Sequence, residues 1–204
     1  MNGSVVDLSP DSTRLVVASN SCRATIWDTA THAQHGTLNH GCDGVVAAKY
    51  SPQGDRIATA SPNSVRVYDS SDCRLLVNIQ VKVTPLYNTG LVWFNDHLFV
   101  VSDNNIKRID AATGSVVSEW PVPDTTNSSC IALPQHGEFI AYSTNRIVAF
   151  WDTSTHAQLG LIQHPQDIYS IAFSPDDQFI AIGGEYGKTT TRRLSRIIAS
   201  IVSC

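Results

Sequence analysis

The feature that most constrains the fold of this chain is a short internal duplication. The stretch Arg-Ala-Thr-Ile-Trp-Asp-Thr-Ala-Thr-His occupies 23–32 and returns in a closely related form at 146–156. Its two tryptophans, Trp27 and Trp151, lie 124 residues apart, which is three steps of about 41 residues. A fixed period of this size is typical of stacked supersecondary units, so the sequence predicts a repeat architecture.

Four aspartates mark the period. Asp28, Asp69, Asp110 and Asp152 follow one another at intervals of 41, 41 and 42 residues. A fifth position, at Arg193, keeps the spacing but lacks the acid. The sequence therefore contains five repeat units, of which the last has lost its marker.

A second marker is a Ser-Pro turn. Ser9-Pro10, Ser51-Pro52 and Ser174-Pro175 each follow a short apolar run, and proline pre-sets the backbone for such turns. Between the markers, segments such as 14–18, 56–60 and 139–142 alternate with a period of two and show no helical periodicity. The pattern predicts an all-β fold with four strands in each unit, in one domain over 1–204. The predicted units are 3–39, 44–81, 87–120, 128–163 and 167–204.

Four short strands in each unit, with Trp-Asp at the end of the third, resemble the WD40 repeat over nearly the whole chain. The resemblance implies a β-propeller of about five four-stranded blades. The wording Thr-His-Ala-Gln-Leu-Gly at 155–160 is also similar to large fungal proteins that append WD40 arrays to NOD-like signalling ATPases.

In the WD40 family a histidine, a second-strand Ser or Thr, a turn aspartate and the tryptophan form a hydrogen-bonded set. No repeat of this chain has the complete set, because Asp103 is the single aspartate at the turn position and Ile109 replaces its tryptophan. We therefore predict weaker individual blades than is usual in the family. The residues to which the resemblance gives a structural role in the repeat are Trp27, Asp28, Asp69, Asp110, Trp151, Asp152, His40 and His164.

The number of units affects how a ring could close. WD40 rings usually hold about seven blades and close by lending one strand to the blade at the other end of the chain. This chain is predicted to start in a first strand and stop in a fourth, with no strand left to lend. We expect either direct contact between the first and last blades, or an open ring in a fragment of a longer array whose unpaired edges self-associate.

The sequence offers little for catalysis. A net charge of −4 disfavours broad electrostatic binding to nucleic acid, and the five cysteines show no metal-binding spacing. The glycine-rich segment 183–189 has Ile182 where a phosphate-binding loop needs its first glycine. The predicted innermost strands carry Asp7 and Lys49 as their only charges, too few for the two carboxylates of a five-bladed glycoside hydrolase. We predict no enzyme activity, no cofactor and no metal.

The function predicted is a non-catalytic protein–protein interaction scaffold built on WD40 repeats. One alternative is a ligand-sensing repeat array of a larger NOD-like signalling protein, and a more distant one is a five-bladed glycoside hydrolase. The partners expected are other proteins, not nucleic acid or a membrane. The chain shows no signal peptide and no membrane-spanning run, so we expect a cytoplasmic protein, with the nucleus as the alternative. The predicted partner-binding residues are His32, Tyr87, Trp120, His136 and Tyr186.

Overall fold

The protein is built from antiparallel β-sheets. The computed structural model describes residues 5–18, 22–41, 44–83, 90–123 and 130–194. In these ranges the strands form five sheets, which we call blades one to five in chain order. Each strand pairs with its neighbour in the sequence, so every blade is a simple meander. The predicted all-β fold made of propeller-type blades is confirmed.

The strands have the following bounds. Blade one contains β1 (Val5–Leu8), β2 (Arg14–Ala18), β3 (Arg23–Asp28) and β4 (Gln34–Asn39), and blade two contains β5 (Ala47–Tyr50), β6 (Arg56–Ala60), β7 (Ser64–Asp69) and β8 (Leu75–Gln80). Blade three contains β9 (Leu91–Phe94), β10 (His97–Ser102), β11 (Asn105–Asp110) and β12 (Val116–Pro121). Blade four contains β13 (Cys130–Ala132), β14 (Phe139–Thr144), β15 (Ile147–Asp152) and β16 (Gln158–Gln163), and blade five contains β17 (Ile168–Phe173), β18 (Phe179–Gly184) and β19 (Thr189–Arg193).

Blade five differs from the others in its described part. A single 3-10 turn, Glu185–Gly187, joins β18 to β19. The fourth strand predicted for the unit 167–204 would lie beyond residue 194, outside the described residues. No helix in the described part of the chain is both long and apolar enough to span a bilayer.

The chain divides into two compact units, and each is described by itself. The first unit holds blades one to three, and its first strands lie side by side, β1 next to β5 and β5 next to β9. The second unit holds blades four and five, with β13 next to β17. The single domain expected over 1–204 stays a prediction.

The core of the first unit lies between adjacent blades. Ile26 and Leu38 of blade one pack with Ile57 of blade two, and Val67 of blade two packs with Leu98 of blade three. Each methylene buried in this way contributes roughly 0.8 kcal/mol. Because no blade buries its apolar side chains alone, each blade depends on its neighbour for stability. The second unit has an equivalent core, which includes Phe139, Phe150, Ile168, Ile180 and Ile182.

Burial in the second strands differs from the period-two alternation read from the sequence. In β6 the four residues from Ile57 to Ala60 are all buried, on both faces of the strand. The reason is that blade two is covered by blade one on one face and by blade three on the other. The outer strand β8 is largely exposed, as expected for the edge of a blade.

Candidate functional site

The turn between the third and fourth strands begins with the repeat aspartate in blades one to four. In blade one, Asp28 Oδ1 accepts hydrogen bonds from the backbone N–H groups of Ala30 (3.0 Å) and Thr31 (2.7 Å), and from the Thr31 hydroxyl (2.8 Å). Asp110 repeats this pattern with the residues two and three positions on. The carboxylate thereby satisfies backbone donors that the end of the strand leaves open.

Asp69 and Asp152 make the same turn with a serine two residues on. The Asp152 carboxylate accepts from the Ser154 N–H (2.9 Å) and hydroxyl (2.6 Å) and from the Thr155 N–H (2.7 Å). Asp69 accepts from the N–H groups two and three residues on at 2.8 and 3.4 Å. Four copies of one local hydrogen-bond pattern therefore close four hairpins.

These hydrogen bonds stabilise the charged form of each carboxyl. They lower the pKa of Asp152 to about 2, first through the hydroxyl two residues on. The pKa of Asp69 is lowered in the same way, first through the Ser71 hydroxyl two residues on. In Asp28 and Asp110 the largest cause of the lowered pKa is the backbone N–H three residues on. All four side chains are therefore carboxylates at neutral pH.

The last residue of each of these turns has an unusual backbone conformation. His32, Cys73, Gly114 and His156 have positive φ angles of 58, 62, 75 and 59°. Each donates its backbone N–H back to the carbonyl oxygen of the aspartate four residues before it, at 3.0, 3.1, 2.8 and 3.0 Å. The turns thus share one backbone geometry while their exposed side chains differ.

A second fixed turn lies at the same end of the blade, between the first and second strands. The hydroxyls of Ser9, Ser51 and Ser174 accept from the N–H five residues on at 2.9, 3.0 and 2.9 Å. Each of these hydroxyls also donates to a carboxylate of its own turn, at 2.6, 2.8 and 2.5 Å. This turn was predicted from its proline, and the role of the serine hydroxyl was missed, although an acid two or four residues after the serine was the available signal.

The two predicted structural histidines are buried. His40 Nε2 lies 3.4 Å from the carbonyl oxygen of Thr59 in β6. His164 Nδ1 lies 2.8 Å from the carbonyl oxygen of Gln166, and its ring packs against Gly184 in β18, where an added Cβ would come within 2.8 Å of Cε1. Each histidine therefore contacts the second strand of the blade that follows it.

In the described part of the chain, the polar set of the WD40 repeat is not assembled around Trp151 and His164. Among the described residues, Ser102 Oγ, Trp151 Nε1 and His164 Nε2 are buried and have no hydrogen-bond partner. The second-strand residue opposite Trp151 is Ile140, so no hydroxyl faces the indole. Trp27 is 38% exposed at the outer part of blade one. Trp27 and Trp151, the two tryptophans of the Trp-Asp pairs, therefore contribute mainly apolar surface.

The predicted partner-binding residues lie at different places. His32 is exposed in the third-to-fourth-strand turn of blade one, and His136 is exposed in the first-to-second-strand turn of blade four. His136 Nδ1 lies 3.6 Å from Asp177 Oδ2. Tyr186 is 82% exposed in the turn between β18 and β19, at the other end of its blade. Tyr87 lies outside the described residues.

Trp120, which was predicted to bind a partner, is buried. Its side chain is 3% exposed, lies opposite Ile106 and meets the Phe99 ring edge to face at a centroid distance of 6.3 Å. Its burial within blade three argues against the predicted partner-binding role. Trp120 occupies the apolar position of β12 that faces the core residues of β11. Its large indole ring increases the apolar area that is buried there.

The two charges of the innermost strands pair with each other. Lys49 Nζ lies 2.8 Å from Asp7 Oδ1, and the Tyr50 N–H donates to Asp7 Oδ2 at 2.8 Å. Trp93 Nε1 in turn donates to the Lys49 carbonyl oxygen at 3.1 Å. In the described ranges, no group of three or more His, Cys, Asp or Glu side chains is arranged to hold a metal ion.

A family model described as "WD domain, G-beta repeat" matches residues 33–69 and 157–189. The first match runs from just before β4 to the end of β7, and the second runs from just before β16 to the first residue of β19. Each match spans one of the serine turns between a first and a second strand. These two segments of the chain therefore match the WD40 repeat, in agreement with the repeat read from the sequence. The additional resemblance to arrays on NOD-like proteins stays a prediction.

The curated relatives that the chain resembles include a WD-repeat protein and β subunits of guanine nucleotide-binding proteins. The chain is 29% identical over 93 residues to WD repeat-containing protein 90 of Homo sapiens, across 44% of this chain and 5% of that protein. It is 23% identical over 200 residues to guanine nucleotide-binding protein subunit beta-1 of Nicotiana tabacum, across 89% of this chain and 53% of that protein. The chain thus spans about half the length of the G-protein β relatives it matches, and a small part of the human protein.

Among solved structures, a chain of Kuenenia stuttgartiensis hydrazine synthase is similar with a TM-score of 0.81 and 18% sequence identity. The match covers 98% of this chain and 67% of that one. At this identity the similarity shows the fold alone, so it transfers no activity.

Proposed function

We propose that this WD40 chain is a non-catalytic protein–protein interaction scaffold. The observation that carries the proposal is the set of four aspartate-closed turns, which share one backbone and differ in their exposed side chains. A rigid frame that presents variable side chains loses little conformational entropy when a partner binds. Such a surface can select a protein partner without any reacting group.

The names of the relatives support the same proposal. The Nicotiana proteins are named as subunits of a guanine nucleotide-binding protein, so they work within an assembly of polypeptides. WD40 repeats are typically non-catalytic, and by this analogy we propose no enzyme activity for this chain. The cytoplasmic location and self-association through blade edges stay predictions.

The test is capture of partners from an extract of the source cells with the full chain immobilised. The double variant His32→Ala/Asp72→Ala changes exposed side chains of two turns and keeps both closing aspartates. We expect it to lose a retained protein that the parent chain holds and that reciprocal capture also recovers.

The matched control is Lys82→Ala, a 74% exposed side chain beyond the other end of β8. We expect this variant to retain the same protein as the parent chain. Failure to retain any protein reciprocally, or equal loss in the control, would contradict a role for the turn surface.

A further inference from the structure

The junctions between blades contain one pair of positions that repeats with each blade. The first position of the pair is the first residue of a blade's second strand. It faces the second position, a residue near the end of the first strand in the next blade. Strand register defines the second position, since Tyr50 pairs with Ile57 and Trp93 pairs with Leu98, each one residue beyond the start of its second strand. The first position is held by Arg14 at the junction of blades one and two.

The junction of blades two and three shows what an arginine does there. The Arg56 guanidinium lies 5.7 Å from the centre of the Trp93 ring, and its Nη2 donates to Asp96 Oδ1 at 2.6 Å. Asp96 belongs to the first-to-second-strand turn of blade three. The guanidinium is therefore neutralised by a carboxylate that the next blade supplies.

The junction of blades four and five has no charge at these positions. Phe139 and Phe173 occupy them, with ring centroids 5.6 Å apart and planes at 80°. An arginine with a carboxylate and a pair of aromatic rings are thus two complete ways to fill this position.

The junction of blades one and two is incomplete. Arg14 Nη1 donates to the Ser70 carbonyl oxygen at 2.8 Å, but within the described ranges no carboxylate forms an ion pair with Arg14. Tyr50 takes the place of Trp93, is 6% exposed, and its Oη has no hydrogen-bond partner in the described chain. Burial raises the pKa of Tyr50 to about 12, so at neutral pH the hydroxyl keeps its proton and can donate.

The missing carboxylate has a structural cause. The blade-two turn between Tyr50 and Arg56 is longer than the corresponding turn before His97 in blade three. Its acid, Asp55, accepts from the Ser51 hydroxyl at 2.8 Å and lies 3.5 Å from Arg56 Nε instead of turning toward blade one. Gln53 and Gly54 line the gap, which is a cleft of about 480 Å³.

We propose that this cleft binds the carboxylate of an acidic side chain in a partner polypeptide, where Arg14 and the Tyr50 hydroxyl donate to it as Arg56 donates to Asp96. The inference rests on the proposed scaffold function and names the chemistry of one contact. Arg14 supplies a planar pair of donors that matches a carboxylate, and the buried hydroxyl of Tyr50, which also lines the cleft, supplies a third donor.

The neighbouring junction, where Arg56 holds the Asp96 carboxylate, favours a carboxylate as the occupant of the cleft. Asp11 also lines the cleft, and hydrogen bonds from Ser9 and Thr13 lower its pKa, so it is negative at neutral pH. Its carboxylate already accepts from the Ser9 hydroxyl and from the Thr13 N–H and hydroxyl. A dianionic phosphate would double both the attraction to Arg14 and the repulsion by Asp11, so charge alone does not choose between the two anions.

The experiment titrates the full chain, labelled with ¹⁵N, with three blocked tripeptides: Ac-Gly-Glu-Gly-NH₂, its Gln counterpart and its phosphoserine counterpart. The signal followed is the Arg14 Nε–Hε resonance. We expect a saturable shift with the Glu peptide, and binding weaker by roughly tenfold with the Gln peptide. Tighter binding of the phosphoserine peptide would overturn the assignment to a carboxylate.

Four variants locate the contact. Arg14→Gln is expected to abolish the shift of the Tyr50 ring resonances that the Glu peptide causes, and Arg14→Lys to weaken binding about threefold or more because it loses the planar donor pair. Tyr50→Phe keeps the buried ring and removes the unpartnered hydroxyl, so it folds and should bind several-fold more weakly. Gln53→Glu places a carboxylate of the chain itself at the cleft and should compete with the peptide.

The control is Arg74→Gln, which removes one positive charge at a side chain that is 65% exposed, elsewhere in blade two. Equal weakening by Arg74→Gln and Arg14→Gln would overturn the proposal, because attraction would then be diffuse. Unchanged binding in Tyr50→Phe and Gln53→Glu would also overturn it. If a captured partner binds Arg14→Gln as tightly as the parent chain, the scaffold function stands and this contact fails.

Discussion

The closing turns and the buried polar positions of the blades have diverged to very different extents. Four turns keep an aspartate and the same hydrogen bonds, whereas Ser102, Trp151 and His164 each leave a buried polar atom without a partner in the described chain. All the residues that form the turn belong to one hairpin, so substitutions in other segments do not remove its hydrogen bonds. The WD40 polar set needs members from separate segments, and once one is lost the others contribute little. Local interactions are thus retained in a degenerate repeat.

Acidification should have the largest effect, because it acts on all the turns at once. A carboxyl with a lowered folded-state pKa stabilises the fold above its unfolded pKa, and this contribution is lost as pH falls through the folded value. For Asp152 the window runs from 3.8 down to about 2. We expect the urea midpoint to fall between about pH 4 and about pH 2, and less steeply in Asp152→Asn. A flat midpoint across this range would show that the turns add nothing to stability.

The next largest effect is expected for Gly114→Ala. Gly114 has a φ of 75°, and an added Cβ would lie 2.8 Å from Val77 Cγ1 and 3.1 Å from Ile79 Cγ1 in blade two. Backbone strain and overpacking together should lower the free energy of unfolding by about 2 kcal/mol. His32→Ala is the matched control, since its turn position already holds a side chain, and should change stability by less than about 0.5 kcal/mol. Equal effects would mean that the turn geometry is not what constrains Gly114.

Removing one closing acid should have a smaller effect. Asp152→Ala deletes the acceptor of three hydrogen bonds at a partly exposed site, and we expect a loss of about 1 kcal/mol in chemical denaturation. Asp72→Ala, an exposed acid of the blade-two turn that is not its closing residue, serves as the control and should lose less.

The smallest effect, with the opposite sign, is expected on the other side of the comparison. Ser102→Ala removes a buried hydroxyl that has no partner in the described chain and should stabilise by about 0.5 kcal/mol. Ser143→Ala is the contrast, because Ser143 Oγ accepts from the Cys130 N–H at 3.2 Å, and should cost about 1 kcal/mol. Equal destabilisation by both would indicate that the buried positions still act as a set.

The fold could be predicted because the residues that mark the period are aspartates, and the turn needs their carboxylates as hydrogen-bond acceptors. An aspartate that must accept from two consecutive backbone N–H groups cannot drift in position, so its spacing marks the blades. The same period also marks Trp120 as a core position, although Trp120 was predicted to bind a partner. Leu38, Ile79, Trp120 and Ile162 are spaced by 41, 41 and 42 residues and pair with buried residues of the third strands.

The cleft could not be predicted in the same way. Arg14 and Arg56 look alike along the chain, and their difference arises from the turn of the following blade, where a longer loop turns Asp55 toward its own blade. Contacts between neighbouring blades depend on loop length and side-chain direction, which a one-dimensional period does not encode. Aligning the first residue of each second strand with the next blade's turn would have shown that Arg14 and Arg56 face turns of different length.

The hydrogen bonds of the inner strands have a consequence for how such a chain could be rebuilt. Asp7 holds Lys49 and the Tyr50 amide, and Trp93 holds the Lys49 carbonyl, so each contact joins one specific repeat to its successor. Exchanging the second and third repeats in the gene would set Asp7 against Val92, which has no charge to offer. The order of these related repeats along the chain is therefore fixed by their contacts. Exchanging two repeats would destabilise the fold although every hairpin stayed intact.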